Sequence, residues 1–276
     1  MNHLIAIAIL SVTAISAQSP SPAFDVGSVK VNNTPGRPNP AIRYSPDTLT
    51  MRQVSLALAV RWAYGPGSLQ ISAPDWMETS PLYDILTKAS GPVPESQLRL
   101  MLQSLLAERF HLAVHVEKKE MPAMALLVAK GGPKFHESDG SYDPGRGAES
   151  PLHFLGYDDS VHMQRSQDTN GRLRDSFTNI PMTLFATVLA AMGTLTPYSN
   201  VPLPVIDTTG MPGRYDLQIV HDLSGHREGE GPQAAEEVLG DLKPILEKDL
   251  GLTLERRKAM LDVLVVDRAD RTPTAN

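Results

Sequence analysis

An internal repeat limits the folds open to this chain, because two halves of the sequence carry the same landmarks in the same order. Tyr83-Asp84 and Tyr215-Asp216 each open a short alternating run. Gln53-Val-Ser-Leu precedes one apolar helical stretch and Asn179-Ile-Pro-Met precedes another, with Gly65 and Gly193 closing them. Ile71 and Trp76 correspond to Ile206 and Met211, residues 97–110 to residues 241–250, and residues 125–130 to residues 263–268. The spacing drifts between these anchors, so the copies have diverged. A unit with this order reads β-α-β-β-α-β-β, two helices covering one face of a small, mostly antiparallel sheet. The expected fold class is α+β.

Periodicity supports that reading. In residues 95–110, Leu98, Met101, Leu102, Leu105 and Leu106 fall on one helical stripe. Residues 54–64 place Leu56, Val60 and Tyr64 four apart, and Gly65-Pro66-Gly67 stops the helix. Alternating runs at residues 24–31, 42–51, 69–71 and 82–86 read as strands, and residues 112–116 and 124–130 as the arms of a hairpin. Residues 131–174 are polar and Gly-rich, with one strand pair expected at residues 153–157 and 161–165; residues 224–232 read as a polar loop. The expected division is a signal peptide (1–17), a first α+β unit (18–135), an irregular linker (136–174) and a second unit (175–276), with docking of the units into one domain left open.

The apolar run at residues 4–15, followed by Ser16, Ala17 and Gln18, has the form of a secretory signal cleaved after Ala17. It is short for a membrane span, which takes about 20 residues. A periplasmic or secreted location is expected. The sequence has no cysteine, which excludes disulfides and thiol catalysis and leaves stability to apolar burial. Lys and Arg number 25 against 31 Asp and Glu, a net charge of −6, and no basic block stands out along the chain. Nucleic acid is therefore not an expected partner.

Familiar catalytic signatures are missing: no HExxH, GxSxG, GxxxxGK[ST] or strand-linked GxGxxG occurs. His111, His115 and Glu117 share one strand face, but positions four and six apart lie about 13 and 20 Å from one another, too far for one ion. His221, Asp222, His226, Glu228 and Glu230 crowd a Gly-rich stretch that reads as a solvated loop. Neither a metal nor a cofactor is expected. Asp207-Thr-Thr-Gly is explained by a turn with glycine at positive φ, since its counterpart Ser72-Ala-Pro carries no second aspartate. The surface candidates for a ligand or partner are Trp76, Tyr83, Tyr215, Asp75 and Asp207, at turns and strand starts where aromatic rings line a groove or pack in a core.

Several pieces together carry a resemblance: Phe24-Asp-Val-Gly-Ser-Val-Lys, Ala63-Tyr-Gly, Ala73-Pro-Asp-Trp, Tyr83-Asp-Ile, Leu105-Leu-Ala-Glu-Arg-Phe with His115 and Glu117, Gly131-Gly-Pro-Lys, Pro204-Val-Ile-Asp-Thr-Thr-Gly-Met, Gly213-Arg-Tyr-Asp, and Val265-Val-Asp. With them the chain resembles the soil-associated secreted proteins of unknown function found in acidobacteria. Met211 stands where that family usually has Leu, and Thr208 where Lys is common. The resemblance implies an envelope or secreted location, many paralogues per genome, and occasional fusion to membrane metallopeptidase sensors; it supplies no catalytic residues.

The expected function is a non-enzymatic binding or interaction module, a sensor or adaptor surface for an envelope protein, peptide or glycan. The competing expectation is a hydrolase of an envelope or extracellular polymer using Asp75, Asp84, Asp207 and Asp216 at the turn-strand junctions.

Overall fold

The computed structural model describes residues 21–36, 39–65, 70–141, 160–192, 203–222 and 232–275. The signal segment (1–17), Gly193, the strand at residues 153–157, and His226, Glu228 and Glu230 lie outside the described residues.

The first sheet is antiparallel, with strands β1 (Val26–Asn32), β2 (Ala41–Ser45), β3 (Thr48–Val54) and β5 (Leu82–Lys88) in the order β1-β5-β3-β2. Alternation turns Val29, Leu49, Met51, Tyr83 and Ile85 to one face, where they are buried with helices α1 (Leu56–Tyr64) and α3 (Glu95–Phe110). Helix α1 starts because the Ser55 hydroxyl accepts from the Leu58 N–H at 3.1 Å. It is held to α3 at its other end, where the Gln103 amide donates to the Ala63 carbonyl at 2.8 Å and Arg99 donates to that of Trp62. The α3 stripe Leu98, Met101, Leu102, Leu105 and Leu106 is buried as its spacing predicts. Between α1 and β5 lie the short strand β4 (Gln70–Ser72) and a one-turn helix α2 (Trp76–Thr79).

A second such layer follows. Strands β7 (His136–Glu137), β8 (His162–Gln167), β9 (Leu173–Pro181) and β11 (Arg214–His221) form a sheet in the order β7-β11-β9-β8. Helices α4 (Met182–Met192) and α5 (Pro232–Ile245), the latter running into a π-helical turn (Leu246–Leu250), share its core. Phe177 and Phe185 meet edge to face at 5.5 Å in that core.

Two long strands join the layers. β6 (Ala113–Val128) and β12 (Leu252–Arg268) pair antiparallel from Leu252 opposite Val128 to Arg268 opposite Ala113. β4 adds to the outside of β12 and β10 (Val205–Asp207) to the outside of β6, both parallel. Each long strand serves both cores: Leu264 of β12 lies in the first, with Leu112 and Ile71, whereas Met124 and Leu126 of β6 lie in the second, with Leu252 and Leu254.

The expectation of an α+β fold with small, mostly antiparallel sheets holds. Two local expectations do not. The hairpin expected within residues 112–130 is a single strand, since residues 117–123 offer no Gly or Asn for a tight turn and zip instead to β12 through Lys118–Asp262 and Glu120–Lys258, each at 2.8 Å. The stretch expected as a linker contributes β7, β8 and the start of β9; the strand expected at residues 161–165 is present as β8, and it pairs with β9 along His162–Gln167. Among the described residues no helix is long and apolar enough to cross a membrane.

Candidate binding surface

Strand alternation that builds the cores also decides which expected binding residues reach solvent. Tyr83 is fully buried, its hydroxyl donating to the Arg271 carbonyl at 2.6 Å and its ring edge-on to Phe110 at 4.9 Å. Burial pushes its phenol up to about 12, against the opposing pull of the Arg271 charge. Tyr215 is buried against Phe135, and its hydroxyl accepts from the Gly213 N–H at 3.2 Å. Both tyrosines face inward from their strands, so neither offers the accessible ring expected of it.

Each aspartate is occupied by local structure or stands alone. Asp84 accepts from the Asn32 amide and from the Gln53 N–H, both at 3.0 Å, and Asp216 accepts from the Asn179 N–H at 2.9 Å. Asp207 accepts from the Thr209 N–H at 2.9 Å and its hydroxyl at 2.7 Å, an Asx turn anchored where the Thr208 N–H meets the Leu126 carbonyl. Asp75 precedes α2, exposed and without a side-chain capping bond. Trp76 is half-buried against the first core, the Arg271 guanidinium 5.1 Å over its ring. Of the five candidates, Asp75 is exposed, Trp76 and Asp207 are half-buried, and the Asp207 carboxylate is taken up by its own turn.

His115 of β6 pairs with Asp267 near the end of β12 at 2.9 Å, and His111, which ends α3 and does not lie on the strand, pairs with Asp270 at 2.8 Å. Among the described residues no group of three or more His, Asp or Glu could hold a metal ion. A buried ion cluster went unread in the sequence because its members come from three strands. Asp175 is fully buried, gripped by Arg165 at 2.6 and 2.8 Å and by His221 Nε2 at 2.9 Å. Burial raises its carboxyl, but the Arg165 and His221 hydrogen bonds and charges outweigh that and hold it below the ordinary range.

The broadest candidate surface is also one that the sequence hid. The first sheet has its helices on one face, and the register turns the alternate side chains to the other. Lys30 of β1, Lys88 of β5, Arg52 of β3 and Arg43 of β2 are exposed there, and none has a carboxylate partner among the described residues. Between them lie Ser28, Thr48 and Thr50, with Leu86 at 40% and Val26 at 60% exposure. Asp84, already bonded to Asn32 and Gln53, is the one carboxylate in this array, and Asp25 and Asp47 lie beyond the strand ends near Lys88. The long ribbon contrasts with it, because there Lys118, Lys258, Arg256 and Arg257 are each ion-paired.

A family model described as protein of unknown function (DUF3738) matches residues 57–269. The chain belongs to that family. The DUF3738 match begins in α1, so β1, β2 and β3 of the first sheet precede it. No curated protein and no solved structure matches the chain.

Proposed function

We propose that this DUF3738 chain is an exported, non-enzymatic binding module of the envelope or the extracellular space, made of two copies of one α+β unit, and that it binds through the open face of its first sheet. The observation that carries the reading is the set of four cations, Lys30, Arg43, Arg52 and Lys88, around exposed Leu86 on a sheet face where, among the described residues, they meet no carboxylate partner and no helix. Isolated exposed aliphatic side chains are ordinary, but a patch that joins them to uncompensated charge marks an interaction surface. Export rests on the signal-like residues 4–17.

The two-copy reading is supported by the order of elements, three strands, a helix, a short strand, a strand, a helix and a long strand, which runs twice along the described residues, with α2 added in the first copy and the π-helical turn in the second. The same carboxylate-to-backbone bond joins Asp84 to Gln53 and Asp216 to Asn179, and left-handed residues His111 and Gly251 end the helices before the long strands. No observation favours the hydrolase reading, because Asp84, Asp207 and Asp216 each serve their own turn or bulge.

The test is affinity capture from cell envelope and culture supernatant with mature protein (residues 18–276) and the variant Lys30→Gln/Arg43→Gln/Arg52→Gln/Lys88→Gln. Loss of a specific ligand in the variant supports the sheet face. A ligand lost instead with Trp76→Ala moves the surface to the α2 corner, and no retained ligand with either protein rejects the module.

A further inference from the structure

We infer that the open face of the first sheet is a docking surface for an anionic lipid bilayer, an inference that rests on the binding face proposed above and names its partner. The register places Lys30 and Arg52 on either side of Asp84, and Arg43 two strands from Leu86 in the adjoining row. Lys88 stands in the row beyond, opposite Val26. At about 4.8 Å between strands and about 7 Å between same-face residues, the array covers a patch about 15 Å across.

Its composition decides the class of partner. Cations meet lipid phosphates, while Leu86 and Val26 reach the boundary between headgroup and acyl chain, the combination by which interfacial proteins bind. An acidic peptide or a nucleic acid would satisfy the cations and leave the aliphatic side chains in water. A single-stranded nucleic acid would also want aromatic side chains to stack on, and among the described residues of this face there is none. Four cations against one carboxylate on this face, in a chain of net charge −6, also orient the molecule, turning this sheet toward a negative surface.

The experiment is co-flotation of residues 18–276 with vesicles of phosphatidylcholine alone and of phosphatidylcholine with phosphatidylglycerol. Binding is expected with the second composition alone and is expected to weaken with added salt. The variant Lys30→Gln/Arg43→Gln/Arg52→Gln/Lys88→Gln should lose at least about tenfold in affinity, since each cation near an anionic bilayer contributes about fivefold. Leu86→Ser should weaken binding several-fold while keeping the lipid preference. A matched variant that removes the same charge elsewhere, Lys130→Gln/Lys243→Gln/Lys248→Gln/Lys258→Gln, should bind as the unaltered protein does, and circular dichroism checks that both charge variants fold. Equal binding to the two compositions, or equal loss in both charge variants, overturns the inference. Absence of vesicle binding overturns it as well; the binding face then survives if affinity capture still finds a protein or glycan that the first variant loses, and falls if capture finds none.

Discussion

The carboxylate of Asp84 accepts a hydrogen bond at 3.0 Å from the backbone N–H of Gln53, a residue held at φ 50°. The pairing of β3 with β5 shifts register at this point, and α1 begins a few residues later. A left-handed non-glycine residue carries strain, and the charged acceptor offsets it where strand becomes helix. Asp84→Ala should cost about 1–3 kcal/mol in thermal or urea unfolding. Gln53→Gly should cost less than that, because glycine adopts the same backbone freely; an equal cost would show that the Asp84 bond does not serve this bend.

Leu264 comes from the last strand and sits in the core of the first half. Leu264→Ala should therefore destabilise the whole protein by about 2–5 kcal/mol in a single transition. Residues 18–135 alone lack β12, the strand that pairs with both β6 and β4, and should be unfolded by circular dichroism. Addition of residues 136–276 should restore structure, and an independently folded fragment 18–135 would contradict the shared ribbon.

Asp175 is stabilised in its charged form, so the stability it contributes is present above the ordinary carboxylate range and is lost as pH falls through its lowered folded value. Arg165→Ala leaves the buried carboxylate with His221 alone. A cost of about 2–4 kcal/mol at neutral pH is expected, below that of a fully buried pair because Arg165 is half-exposed. Stability measured from neutral pH into the acid range should fall less steeply in Asp175→Asn than in the unaltered chain.

The Tyr83 phenol is raised to about 12, and the sign is opposite: its contribution is complete below the ordinary phenol value near 10 and is lost as pH rises through the folded value. Tyr83→Phe removes the bond to the Arg271 carbonyl, about 1 kcal/mol at neutral pH. It should also flatten the loss of stability between about pH 10 and 12.

Gly251 has φ 65° at the end of the π-helical turn, and a Cβ there would meet the Gly132 carbonyl oxygen at 1.9 Å. Strain and backbone collision act together, so Gly251→Ala should cost about 3 kcal/mol or more by urea unfolding. His111→Gly, at the corresponding helix end, should cost less than 1 kcal/mol, as relief of a positive φ offsets loss of the exposed Asp270 pair.

Local patterns were legible in the sequence. The α3 stripe, the Gly65 stop of α1 and the alternation of β5 depend on neighbours a few residues apart, and those are what local patterns record. The continuous β6 was not legible, because polar residues 117–120 and Pro122 look like a turn until Asp262 and Lys258 are brought opposite them from more than a hundred residues away. Tyr83 and Tyr215 were recognised as a matched pair, but which strand face would be covered depends on helices elsewhere in the chain. The cationic face was invisible for the same reason: residues 30, 43, 52 and 88 form no cluster until three strand pairings align them. Arg165, Asp175 and His221 are likewise an assembly of three strands.

The exchange of β6 and β12 between the two cores also sets the order of events in folding. Neither core can close before residues 252–268 arrive, so contacts of long sequence separation must form before either half is stable. Such a topology folds slowly and late, after the entropy of closing a large loop has been overcome. The nascent chain therefore stays open until residues 252–268 have emerged, as the export proposed above would require.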